Sequence, residues 1–140
     1  MKPTLMPYLN FNGNTAEAMK FYQSVLGGEL DMQTFAQFGM PISEDKKDQI
    51  MHAALKNDTL SFMASDGGDH RQVNMGDNVT LSIIGTDEEV MTKYFNGLSQ
   101  GGKIEMPLEK QAWGDKYGSF VDKFGIHWAV NIVSAENLKK

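Results

Sequence analysis

The chain has 140 residues, 41% hydrophobic, 22% charged and 10% aromatic, an ordinary globular composition that excludes a mostly disordered chain. It has no cysteine, which excludes a disulfide framework, a thiolate zinc site and a cysteine nucleophile; a chain this long can bury a core without such staples. Thirteen basic against eighteen acidic residues give a formal −5, and every basic residue except Arg71 is a scattered lysine, so no footprint for a nucleic-acid backbone exists.

No apolar stretch is long enough to span a membrane, and Met1-Lys2-Pro3 does not open a signal peptide. The expectation is a cytoplasmic protein with neither membrane nor nucleic acid as partner.

Hydrophobic alternation predicts a first strand over 5–12. The polar cluster Asn12, Gly13, Asn14 then hands over to a helix over 15–26, with Asn14 or Thr15 as N-cap. Ala18, Phe21, Tyr22 and Val25 fall at i, i+3, i+4 and i+7 and form its apolar stripe, and Gly27-Gly28 stops it. Strands are expected over 29–38, 49–56 and 59–65, the last two joined by the turn pair Asn57-Asp58; a polar loop with one proline fills 39–48.

The second half repeats that order. A strand over 79–85 precedes a helix capped by Asp87, with Val90, Tyr94 and Leu98 as its stripe. Gly101-Gly102 ends the helix before a strand from Lys103; a loop over 113–116, a strand over 119–123, a turn at Phe124-Gly125 and a last strand over 126–133 follow. Both halves read β-α-β-β-β. The helices superpose with Met19 on Met91 and Tyr22 on Tyr94, so the two tyrosines are expected in equivalent places against their sheets. The chain is therefore taken as one α+β domain of two duplicated modules, about 1–68 and 75–140.

Certain segments carry a family resemblance. Pro7-Tyr8-Leu9-Asn10-Phe11, Ala18-Met19-Lys20-Phe21-Tyr22, Leu26-Gly27-Gly28-Glu29, Trp113-Gly114-Asp115 and Asp122-Lys123-Phe124-Gly125-Ile126-His127-Trp128 resemble the PhnB-like branch of the vicinal oxygen chelate (glyoxalase/bleomycin-resistance) superfamily. That branch also bears the label 3-demethylubiquinone 3-methyltransferase-like. The resemblance implies that each module curls its sheet into a half-barrel. It also implies, for enzymes of the group, a divalent metal held by His and Glu from the first and fourth strands of each module, polarising two neighbouring substrate oxygens.

This sequence departs from that ligand pattern. Alternation puts Leu9 and Phe11 on the helix-packed face of the first strand and turns Tyr8 and Asn10 inward. On the fifth strand Val79, Leu81 and Ile83 are expected in the core, with Asn78, Thr80 and Ser82 inward; on the fourth, Leu60 and Phe62 leave Ser61 and Met63 inward. The turn 122–125 resembles the one after which the family's glutamate falls, here at about Ala129. Tyr, Ser or Met, Asn and Ala are not a divalent-metal set, so no metal and no other cofactor is expected.

Of the three histidines, His127 is inward by alternation and suits a general base or a donor to a carbonyl or anion, against the plainer role of a histidine satisfied by Asn131 or Tyr8. The face of His52 is ambiguous in a nearly all-apolar run, and His70 reads as a loop residue. Trp128 points to the core, whereas Trp113 in its loop can cover a cavity; ten methionines suit either an adaptable pocket or plain packing.

The resulting expectation is a small-molecule binding protein with a ligand site of Tyr8, Asn10, Ser61, Asn78, Thr80, Trp113, His127 and Asn131. A divalent-metal lyase or dioxygenase of the same fold and an interaction module without a small ligand are the alternatives. Unpaired strand edges point to a homodimer.

Overall fold

Residues 1–139 are described by the computed structural model, and they fall into two compact units, one over Met1–Asn74 and one from Met75 on. In the first unit β1 (Tyr8–Phe11) leads into α1 (Thr15–Leu26), followed by β2 (Glu29–Thr34), β3 (Ile50–Lys56) and β4 (Ser61–Asp66). The strands form a mixed sheet in the order β1-β4-β3-β2, with β1 parallel to β4 and the other pairs antiparallel. In the second unit β5 (Leu81–Gly85), α2 (Glu88–Leu98), β6 (Lys103–Lys110), β7 (Lys116–Val121) and β8 (His127–Ile132) repeat the order as β5-β8-β7-β6, and a one-turn α3 (Ala135–Leu138) follows. Among the described residues no helix is long and apolar enough to cross a membrane.

Each helix lies where the sequence places it, but its buried face is rotated. In α1 the buried residues are Thr15, Ala18, Met19, Tyr22 and Leu26, while Phe21 and Val25 are only half-buried. Both stripes have helical period; the one containing Met19 wins because it centres Tyr22 on the sheet, with its ring edge-on to Phe62 of β4 at 5.7 Å. In α2 the buried set is Met91, Phe95 and Leu98, and Val90 and Tyr94 lie toward the flanks. Met19 and Met91 do match across the repeat. The next sheet-facing place, however, is filled by Phe95 and not Tyr94, with Phe95 edge-on to Phe120 of β7 at 5.1 Å.

Several strands start later than expected, whereas β7 starts earlier, at Lys116 and not at Ser119. The fifth strand begins at Leu81, where pairing with Trp128 of β8 starts, so residues 78–80 have no ladder to impose alternation and Val79 is 70% exposed rather than in the core. Asp87 caps α2 as expected, accepting from the Val90 amide at 3.2 Å. At α1 neither Asn14 nor Thr15 provides a side-chain cap. The buried carboxylate of Asp66, from β4, does so instead: its Oδ1 accepts from the Thr15 amide, the Thr15 hydroxyl and the Gly13 amide at 3.2, 2.7 and 2.8 Å.

Truncating either sheet-facing ring should leave a large cavity, so Tyr22→Ala and Phe95→Ala should each cost about 3–5 kcal/mol in urea unfolding, and Tyr94→Ala under about 1.5 kcal/mol. Equal losses for Tyr94→Ala and Phe95→Ala would contradict the assigned face.

Candidate functional site

Strand alternation and ladder register decide which side chains share the sheet faces away from the helices. In the first unit Tyr8 pairs with Met63 and Asn10 with Ser65, so Tyr8, Asn10, Ser61, Met63 and Ser65 lie on one face, opposite Phe62 and Ala64. The antiparallel ladders add Ala54 and His52 of β3 and Gln33 of β2, which pairs with His52. This face is polar. The Tyr8 hydroxyl and His52 Nδ1 are hydrogen-bonded at 3.2 Å, and the Asn10 amide reaches the Tyr8 carbonyl at 3.5 Å.

His52 therefore belongs beside Tyr8, although its strand does not reveal its face. The signal lies one and three positions on: Ala53 and Leu55 are buried on the side of α1, which turns His52 to the other side. Its Nδ1 is engaged by the Tyr8 hydroxyl, while Nε2 makes no hydrogen bond among the described residues.

In the second unit His127, Ala129 and Asn131 of β8 share the face away from α2 with Tyr117, Ser119 and Val121 of β7 and Ser82 of β5. His127 Nδ1 lies 3.6 Å from Glu105, and Asn131 is not its partner. Asn131 instead donates to Asp115 at 2.9 Å. Ala129, at the expected glutamate position, is paired with Ser82 on one side and Ser119 on the other.

The remaining expected residues are placed differently. Asn78 and Thr80 lie exposed ahead of β5 and are not strand residues facing inward, for the lack of a pairing partner given above. Trp113 is exposed in the loop between β6 and β7, its carbonyl accepting from Asn137 at 2.7 Å and its ring 6.0 Å from Tyr117. Trp128 is buried, its indole N–H donating to Asp122 at 2.8 Å.

Asp115 ties this loop to α3. Its carboxylate accepts from the Asn131 side chain, the Ser134 amide and the Asn137 side chain, at 2.9, 2.8 and 2.7 Å. Those bonds, Asn131 first, hold its pKa down from 3.8 to about 2. The same bonds fix the Asn131 amide and anchor the backbone that carries Trp113.

Comparison with known proteins agrees with this architecture. Residues 3–131 match the family model described as 3-demethylubiquinone-9 3-methyltransferase. Protein YjdN of Escherichia coli is 31% identical, over 94% of this chain and 97% of that protein. Among solved structures, PA1353 from Pseudomonas aeruginosa is 36% identical with a TM-score of 0.83, covering 94% of this chain and 98% of that one. A PhnB protein from Bacillus cereus is 25% identical with a TM-score of 0.76, covering 94% and 100%. The fold extends to a glyoxalase/bleomycin resistance protein/dioxygenase family enzyme from Burkholderia phytofirmans at 14% identity and a TM-score of 0.58, covering 91% and 97%. The fold is that of the vicinal oxygen chelate superfamily, and the chain belongs to its PhnB-like branch, the 3-demethylubiquinone-9 3-methyltransferase family.

A carboxylate whose folded pKa is lowered contributes stability above its unfolded pKa, near 3.8, and that contribution is lost as pH falls toward about 2. Urea midpoints of the wild type should therefore drop more steeply than those of Asp115→Asn over that window. Parallel curves would contradict the assigned bonds.

Proposed function

We propose that the chain is a small-molecule binding protein whose ligand rests on the first unit's sheet face away from α1, held by the protein's own hydrogen-bonding groups. The observation that carries this reading is the Tyr8–His52 pair beside Asn10, a polar cluster on a sheet face that a plain core would fill with apolar groups. Tyr8 is 44% exposed, so its ring offers an apolar contact as well as its hydroxyl. In the second unit the corresponding face carries His127 beside Glu105, with Ser119 and with Asn131 bonded to Asp115.

The divalent metal that the superfamily implies does not fit these residues. The positions on the first and fourth strands of the modules carry Tyr8 and Asn10, Ser61 and Met63, Ser82, and Ala129: phenol, amide, hydroxyl, thioether and methyl. Imidazole and carboxylate are the usual donors for such a cation, and among the described residues no three His, Cys, Asp or Glu side chains form a group able to hold one. Orientation of the ligand then falls to the hydrogen-bonding groups alone. Family and fold assign no reaction by themselves, so the reading rests on these residues.

A ligand found by thermal-shift screening should titrate with the full chain and bind about tenfold more weakly to Tyr8→Phe or His52→Gln, each having lost one hydrogen bond to ligand or to the group that orients it. Both variants should keep the wild-type melting profile without ligand. Unchanged dissociation constants for both would overturn the reading.

A further inference from the structure

The parallel strands β1 and β4 both end on the same side of their sheet, and the loops that leave them border, with the segment ahead of β3, an open cavity of about 480 Å³. Crevices at the carboxyl ends of parallel strands are a recurrent place for ligands, because the backbone diverges there. Asn12 comes from the loop after β1, Gly67 to Gln72 from the loop after β4, and Lys46 and Gln49 from the segment before β3.

The walls are fixed by bonds that need no ligand. The Asn12 side chain donates to the Val73 carbonyl at 2.7 Å and accepts from the Val73 amide at 2.8 Å, closing the loop at its far end. Asp69 accepts from the Ser43 amide and hydroxyl at 2.7 and 2.8 Å, joining the loop after β4 to the segment before β3. A Cβ at Gly67 would run into the Arg71 carbonyl, so the loop closes on itself only with glycine there. A site with its walls set in advance loses little entropy on binding.

Charge then selects the occupant. Lys46 is spent inside the wall, on the Gly68 carbonyl at 3.2 Å and Asp69 at 3.5 Å, and these two side chains neutralise one another. Arg71 is the chain's single arginine, and it has no hydrogen bond or ion pair among the described residues. The side chains of Gln49, His70 and Gln72 are likewise uncommitted. The lining thus offers one unpaired guanidinium, an imidazole and two amides, with no uncommitted carboxylate.

We propose that this cavity binds a small hydroxylated oxyanion, of the sugar-phosphate or sugar-acid class, with Arg71 taking the charged group and Gln49, His70 and Gln72 the hydroxyls. A guanidinium matches two oxygens of phosphate or carboxylate at once, and the cavity is larger than a bare phosphate, which leaves room for a polar body. The site lies at the strand ends, apart from the Tyr8–His52 face, and stands independently of any ligand there.

The test is calorimetric titration of the full chain with glycerol 3-phosphate, gluconate and glycerol at constant ionic strength, with backbone amide spectra recorded along each titration. At least one anion should saturate and shift the amides of residues 67–72, glycerol should do neither, and Arg71→Gln should weaken the binding by about tenfold or more. Which anion binds distinguishes the phosphate from the carboxylate source. Arg71 is exposed, so its variant should melt like the wild type, and the wild-type amide shifts locate the site without any variant. Absence of saturation by both anions, equal binding by glycerol, shifts confined to other residues, or undiminished binding by a folded Arg71→Gln would each overturn the proposal.

Discussion

The first unit depends on one buried carboxylate. Asp66 closes β4, and its two oxygens collect the Gly13 and Thr15 amides and the Thr15 hydroxyl on one side and the Ile50 amide, at 2.8 Å, on the other. Those donors belong to the turn that ends β1, the first residue of α1 and the first residue of β3. Thr15 and Ile50 are buried, so their donors would go unsatisfied without it, and each such loss costs on the order of 1–3 kcal/mol. One side chain thereby sets where a helix starts and where two strands meet the cavity loops. The second unit uses the same chemistry twice, with Asp122 gathering the Phe124 and Ile126 amides and the Trp128 indole, and Asp115 gathering the C-terminal turn.

Much of the architecture is legible in the sequence because it rests on local chemistry. The span Thr15–Leu26 follows from the polar cluster before it and the Gly-Gly after it, the Asp87 cap from its position, and the β-α-β-β-β succession of each module from alternation and turns. What escapes the sequence is decided by partners far away in it. Two overlapping stripes on α1 satisfy helical period equally, and only the shape of the sheet beneath, with Phe62 awaiting a ring, favours the one through Met19 and Tyr22. The same holds for Phe95 over Tyr94, since Phe120 lies 25 positions away. The α1 cap comes from a residue 51 positions downstream.

The candidate site divides along the same line. Tyr8, Asn10, His127 and Asn131 share the faces that alternation assigns them, because their strands are paired along their length. Asn78 and Thr80 do not, because alternation has meaning only where a neighbouring strand enforces it. The sequence leaves the face of His52 ambiguous, since its run is nearly all apolar, and so omits it from the site; its face shows only once the ladder puts Gln33 opposite it and Tyr8 within a hydrogen bond. The positions that elsewhere in the superfamily carry metal ligands hold groups that hydrogen-bond or pack, and the proposed function accordingly shifts recognition from a cation to side chains such as Tyr8 and His52.

That shift is the central claim, and one comparison tests it most directly. A screen-identified ligand is titrated into protein purified without a metal-affinity column, before and after exhaustive chelation, and again with manganese restored. The account predicts one dissociation constant in all three conditions. Binding that disappears on chelation and returns with manganese would contradict it.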